Sequence, residues 1–311
     1  MIKELNLNIY FIYNKKMKIS IFGFDTTLYK WEVKNPKAIM QIVHGSAEHA
    51  KRYESFAKYL NTQGISVWAM DLMGHGKEES IKDNLGYLGR KGYETVIEHV
   101  NKLGDMMKEE FPEIPYVLLG HSMGSFIART VAIKHNNIDF LIAIGTNHQN
   151  RIKSLFNYIL AATSTIFFGR KHKAWFLSKL SYETFDKKLN SHERGEWISK
   201  NKSNRNKFLN DPLCDFTFTN NGFKHMAHWI NTINSTRLIK KQNKNMKVLF
   251  LAGREDIVGN MTKEVTKAYD NFIKAGLHPK INLYDNMRHE ILNEKNNLEV
   301  YQDIIRFILV K

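Results

Sequence analysis

The chain has 311 residues, 43% of them hydrophobic, with a net charge of +15 and one cysteine. That length suits one α/β domain carrying an insertion, and the apolar fraction is enough for a large core. The lone Cys214 excludes an internal disulfide and fits a reducing compartment.

Residues 1–16 form a short apolar stretch broken by Asn and Glu, without a cleavage site and too short to span a membrane. They read as an N-terminal extension, with Met17 as the expected biological start. Lys18 to Trp31 reads as a hairpin. Ala38 to Val43 is a strand, and His44-Gly45-Ser46 follows it. A helix is expected around Tyr53–Asn61, then the strand Ile65–Met70. That strand runs into Asp71-Leu-Met-Gly-His-Gly76, whose glycines demand an unusual backbone and suggest a structural motif. A longer helix covers Tyr93–Phe111.

The apolar run Tyr116–Leu119 leads into Gly120-His-Ser-Met-Gly124. This Gly-x-Ser-x-Gly pattern forces a strand into a helix through a very tight turn. Ser122 is left on a strained elbow, and the first amides of the next helix aim at it. The strand Phe140–Gly145 follows. Strands alternating with helices imply a mostly parallel sheet covered on both faces by helices.

Alternation stops at Thr146. From 146 to 222 the chain reads as an inserted helical cap, leaving core segments 17–145 and 223–311. The cap is rich in aromatics: Phe156, Tyr158, Phe167, Phe168, Trp175, Phe176, Tyr182, Phe185 and Trp197. They read as the cap's own core, as an apolar entrance for an acyl chain, or as both. His225 and His228 are the best metal candidates, but no acidic third ligand stands at a zinc-motif spacing, so no metal is expected.

The sheet pattern resumes with Met246–Ala252, followed by Gly253-Arg-Glu-Asp256. The last strand, Lys280–Tyr284, leads to Asp285-Asn-Met-Arg-His289-Glu290. A serine nucleophile needs a base, and the base needs an orienting acid. The chain order Ser122, Asp256, His289 supplies them, each just past a strand end. Glu255 adjoins Asp256, yet only one of the two can face His289. Asp215 lies in a segment where the acid is not expected, and His278 in a connecting loop. By position, the backbone amides of Ser46 and Met123 form the oxyanion hole. Cys214 is a poor nucleophile candidate because the serine constellation is complete.

His44-Gly-Ser-Ala-Glu-His-Ala-Lys-Arg-Tyr53, Asp71-Leu-Met-Gly-His-Gly76, Gly120-His-Ser-Met-Gly124, Gly253-Arg-Glu-Asp256 and Arg288-His-Glu290 resemble one branch of the α/β-hydrolase superfamily. It is the monoacylglycerol lipase and lysophospholipase branch, of serine aminopeptidase S33 type. The likeness runs from Phe22 to the C-terminus. It implies Ser122 as nucleophile, Asp256 as acid and His289 as base. It further implies Ser46 and Met123 as oxyanion donors, with His44 and Gly45 supporting the loop that carries Ser46. Glu48 and Arg52 match a buried pair that braces that loop.

The expected activity is therefore hydrolysis of single-chain lipid esters, monoacylglycerol or lysophospholipid, with no cofactor. A peptidase holding a free amine through Glu183, Asp186, Glu193 or Glu196 is one rival. A thioesterase or small-ester esterase with the same triad is another. A non-catalytic binding protein is disfavoured by the intact constellation. The positive charge reads first as a lysine-rich, A+T-driven composition. Its functional reading is peripheral contact with an anionic membrane surface, at the inner face of a cytoplasmic setting. No nucleic-acid motif or clean basic helix is present. Nothing in the pattern specifies an oligomeric state.

Overall fold

The computed structural model describes residues 12–149, 151–179, 184–189 and 193–310. Its strands are β1 (Ile12–Ile21), β2 (Phe24–Val33), β3 (Ala38–Val43), β4 (Ile65–Met70), β5 (Tyr116–His121), β6 (Phe140–Ile144), β7 (Lys247–Gly253) and β8 (Lys280–Tyr284). They form one eight-stranded sheet in the order β1-β2-β4-β3-β5-β6-β7-β8. From β4 to β8 every pairing is parallel, while β1 and β2 add an antiparallel edge. The central strands β3 to β6 are buried along their whole length, as continuous Ile, Val, Leu and Met runs require in a sheet covered on both faces.

The first helices are α1 (Glu54–Thr62), α2 (Gly76–Ile81), α3 (Gly92–Glu110) and α4 (Met123–Lys134). Between β6 and β7 lie α5 (Arg151–Phe168), α6 (Trp175–Ser178), α7 (Thr184–Lys188), α8 (Lys202–Leu209), α9 (Asn220–Ile233) and α10 (Thr236–Ile239). The chain closes with α11 (Lys263–Lys274) and α12 (Leu298–Leu309). Two apolar clusters fill the two sides of the sheet. One joins α3, α4, α9 and α11 through Val96, Ile127, Trp229 and Phe272. The other joins α1 and α12 through Phe56, Leu60, Val300 and Ile304. The α/β arrangement expected from strand alternation is the one observed.

Two expected boundaries shift. The extension over residues 1–16 does not stand apart, because Ile12 to Lys16 pair with Val33 to Tyr29 as the first half of β1. Residues 1–11 lie outside the described residues. The cap boundary at Gly222 falls inside α9, which packs mainly on α5 and also on α4 and α3. An amphipathic helix serving both layers leaves no break for a sequence pattern to show.

Candidate active site

From β3 the chain passes to β4 on one side, and β5 then pairs with β3 on the other. The loops leaving β3 and β5 therefore meet at a topological switch point, where open α/β sheets build their sites. A side chain at Gly124 would collide with the carbonyl of Val43, so the elbow and the β3 loop touch backbone to backbone. Ser122 has φ 52° and ψ −121°. A non-glycine residue there costs about 1–3 kcal/mol, which the surroundings must offset. Ser122 N–H donates to Ile144 O at 2.9 Å. Ser125 N–H (2.9 Å) and Ser125 Oγ–H (2.6 Å) both donate to Ser122 O. The half-buried Ser122 caps α4, whose first residue is Met123.

His289 follows β8, and its Nδ1 lies 2.9 Å from Asp256 Oδ2. Asp256 is wholly buried, and its Oδ1 accepts N–H from Val258 (2.9 Å) and Gly259 (3.3 Å). Burial works to raise its pKa, but His289 and the two amides outweigh burial and hold the carboxyl below its usual range. Gly145, at φ 58°, lets the imidazole pass, since a Cβ there would sit 2.9 Å from His289 Cε1. The rings of His121 and Trp197 lie 4.9 and 5.6 Å from His289.

The weighed alternatives lie elsewhere. Glu255 pairs with Lys200 at 2.5 Å, Asp215 pairs with Arg194, and His278 is exposed. His225 Nδ1 accepts Tyr93 N–H at 3.1 Å, and His228 stacks on Tyr93 at 3.7 Å. These two histidines secure the start of α3 rather than converge on an ion. Burial lowers the His225 pKa to about 4.

The loop after β3 is braced from below. Glu48 Oε1 accepts Gly45 N–H (2.6 Å), Tyr53 Oη–H (2.9 Å) and the His121 ring at 3.2 Å. Its Oε2 accepts Arg52 Nη1–H at 2.6 Å. Burial alone would raise the Glu48 pKa, yet the Arg52 guanidinium, with His121, holds it well below the usual range. His44 Nε2 accepts Leu72 N–H (2.9 Å), so its proton sits on Nδ1, which faces Gly45 O at 2.8 Å. Asp71 Oδ1 accepts Ala50 N–H at 2.9 Å. The Asp71–Gly76 motif is thus a prop for the loop, as its glycines suggested.

Sequence reasoning missed Glu290. Its carboxylate takes both terminal nitrogens of Arg52, at 2.6 and 2.7 Å, and the Asn204 amide at 2.7 Å. Arg52 thereby joins the loop after β3, the loop carrying His289 and α8. Glu290 N–H also donates to Ile198 O at 2.8 Å. Glu294 accepts from Ser199 Oγ–H (2.8 Å) and from the Lys200 and Asn201 amides. Both glutamates stand in or next to the Arg288-His-Glu290 motif, but a partner 238 positions away leaves no mark in one sequence.

Ser122, His289, Ser46 and Met123 line one cavity of about 130 Å³, with Gln149, Phe185, Trp197 and Met226 among its walls. Of the cap aromatics, Phe185 and Trp197 reach this cavity. Tyr158 packs edge-on to His228, and Tyr182 lies outside the described residues. Phe156, Phe167, Phe168, Trp175 and Phe176 instead face solvent, with Phe167 81% exposed. The expected apolar entrance is therefore mostly an outer surface.

Residues 34–296 match the family described as "Serine aminopeptidase, S33". The chain is 24% identical over 268 residues to a monoglyceride lipase homolog of Monkeypox virus, covering 85% of this chain and 86% of that protein. It is 36% identical to the monoglyceride lipase of Homo sapiens over 93 residues, 30% of this chain and 29% of the human protein. It also superposes on a highly thermostable carboxyl esterase from Bacillus coagulans, solved in complex with glycerol. That match has a TM-score of 0.86 and 28% identity, covering 96% of this chain and 98% of the esterase.

Proposed function

The chain belongs to the serine aminopeptidase S33 family, in its monoglyceride-lipase-like branch of carboxylic ester hydrolases, and from that premise we propose that it cleaves single-chain lipid esters through an acyl-enzyme on Ser122. The observation that carries this reading is the buried Asp256–His289 bond opening onto the cavity that holds Ser122.

Ser122 Oγ attacks the ester carbonyl while His289 Nε2 takes its proton. The amides of Ser46 and Met123 receive the oxyanion, fixed before the charge appears. Asp256 holds the proton on Nδ1 and stabilises the imidazolium. The C–O bond breaks, the imidazolium protonates the leaving alkoxide, and alcohol departs. Water, losing a proton to His289, then attacks the acyl carbonyl and frees the fatty acid and Ser122.

The walls support a lipid ester over a peptide. Every acid that a free amine could use among the described residues already has a partner. Glu48 and Glu290 hold Arg52, and Asp186 accepts the amides of Gly195 and Trp197. Glu193 meets Arg205, and Glu196 meets Arg288. Glu183 lies outside the described residues. A cavity of about 130 Å³ is below the roughly 300–1,000 Å³ of ordinary ligand sites, which favours one chain over two and requires the cap to yield.

The cap's outer face supports peripheral contact with anionic lipid. Ile152, Leu155, Phe156, Ile159, Ile166 and Phe167 share one exposed face of α5, bordered by exposed Lys153, Arg170 and Lys171. No helix among the described residues is long and apolar enough to cross a membrane. The test is a hydrolysis panel of monoacylglycerols, lysophospholipids, acyl-thioesters and aminoacyl-amides, with chain length varied. Turnover that rises with chain length on a glycerol or glycerophosphate head group is expected. A flat profile, or preference for the amides, rejects the lipid reading.

A further inference from the structure

A second cluster of chemistry-bearing side chains lies outside the catalytic cavity. His49 Nε2 stands 2.9 Å from Asp211 Oδ2. One ligand atom each from His49, Asp211 and Cys214 lies within 4.8 Å of the others. Imidazole, carboxylate and thiol are the donor types that hold zinc. With ordinary zinc bond lengths, tetrahedral donors stand roughly 3.3–3.6 Å apart, so closure on an ion needs shifts of about 1 Å. Asp211 and Cys214 are already set in one turn, with Cys214 N–H donating to Asp211 O (2.9 Å) and Leu213 N–H to Asp211 Oδ1 (2.9 Å). His49 and Asp211 also line an open cavity of about 710 Å³, which gives an ion a way in and a place for a fourth, water ligand.

We propose that His49, Asp211 and Cys214 bind a thiophilic divalent cation, with Zn²⁺ the best match, and that the ion clamps the oxyanion loop to the segment after α8. On binding, the Cys214 S–H bond breaks, a sulfur–metal bond forms, and the proton leaves to solvent. His49 exchanges its contact with Asp211 for coordination: the Nε2–H bond breaks, the freed Nε2 lone pair binds the ion, and the ring takes up a proton from solvent at Nδ1, so the net proton released is the thiol's. The Arg52 guanidinium is the nearby competing cation, and Glu48 and Glu290 already flank it.

The clamp joins elements that matter to the site. His49 directly precedes Ala50–Tyr53, the turn carrying Arg52 and Tyr53, two of the side chains that hold Glu48. The Cys214 segment is tied to the oxyanion loop by Asp215 N–H donating to Ala47 O at 2.9 Å. It follows α8, whose Asn204 and Phe208 hold and cover Arg52. An ion binding the folded state alone stabilises it by mass action, about 2.7 kcal/mol at a hundredfold excess over Kd.

Cobalt titration of the full chain tests this, because a thiolate-to-cobalt charge-transfer band can arise only from the single cysteine. The band should saturate at one equivalent, release a proton and disappear on adding Zn²⁺. It should vanish in Cys214→Ser, and His49→Asn and Asp211→Asn should each weaken cobalt binding at least tenfold. Zn²⁺ should raise the Tm of the parent and not of Cys214→Ser. Cys214→Ala is made alongside, and metal-free melting identifies the variant that folds. If neither folds, the His49→Asn titration decides alone. No band in the parent, or unchanged cobalt binding in His49→Asn and Asp211→Asn, overturns the proposal. So does a zinc-induced Tm shift that survives loss of Cys214, since it would belong to other histidines.

Discussion

At the carboxyl ends of the strands, Asp256, His289, Glu48 and Glu290 are buried and held by short hydrogen bonds, whereas α5 of the cap turns its largest apolar side chains to solvent. The first region spends polar groups inside the protein and satisfies them. The second leaves large apolar groups exposed. An interior polar network fixes positions to fractions of an ångström, which bond-making chemistry demands. An exposed apolar face fixes nothing by itself and suits a fluid, apolar partner. A fixed polar network and an exposed apolar surface thus rest on different physical means within one chain.

The sharpest way to break this division is to remove groups from the first region. Ser122→Ala should cost on the order of 10³-fold or more in kcat, with melting unchanged. Asp256→Asn and His289→Ala should be similarly inactive, while Glu255→Gln keeps its turnover because the Glu255 carboxylate pairs with Lys200 rather than with His289. An inactive Glu255→Gln would move the acid by one residue.

Arg52→Ala should be costly in a different way. It strands two buried carboxylates, and such a break costs about 3–5 kcal/mol. Thermal melting with parallel ester kinetics reads it, and a Tm within a degree of the parent contradicts the brace. The same network sets the acid limb of stability. Arg52 and His289 hold the Glu48, Glu290 and Asp256 pKa values below their unfolded values despite burial. Their contribution is complete above the unfolded carboxylate range, about pH 4, and is lost as pH falls through the lowered native values. His121 has the opposite sign. Burial opposes its charge, but Glu48 wins and raises its pKa, so its contribution fades as pH climbs through that raised value. Urea midpoints between pH 3 and 9 should therefore fall on both limbs. A midpoint that stays constant on the acid side would show the carboxylates to be unlinked to folding.

The cap should respond more mildly and only when lipid is present. Phe167→Ser with Ile166→Ser should weaken association with anionic vesicles about tenfold, from roughly 1.4 kcal/mol of lost apolar contact. Hydrolysis of a short soluble ester should not change. Equal losses on both would mean that α5 acts through the cavity instead. The smallest effect belongs to the N-terminus. Truncation through Lys16 removes the outer half of the β1–β2 ladder and should lower Tm by a few degrees, on the order of 2–4 °C per kcal/mol lost.

The first region was legible because its constraints are local. The close approach at Gly124, the strand before Ser122 and the loop positions of Asp256 and His289 each leave a short signature. Glu290 and His121 were written in the same motifs, yet their roles depend on Arg52 and Glu48, which only folding brings near. The cap was legible as helices but not as faces. Ile166 and Phe167 read alike as buried or exposed, because apolar periodicity reports that a stripe exists and not what covers it. The ladder of Ile12–Lys16 was missed because Lys15 and Lys16 sit on an antiparallel edge, where charged residues are tolerated.

The central claim, that Ser122 is an activated nucleophile, is tested most directly by fluorophosphonate labelling followed by peptide mass mapping. A single adduct on the Gly120–Gly124 peptide is predicted, lost in Ser122→Ala and strongly slowed in His289→Ala. Labelling that survives in Ser122→Ala, or a parent protein that takes no label, would contradict it.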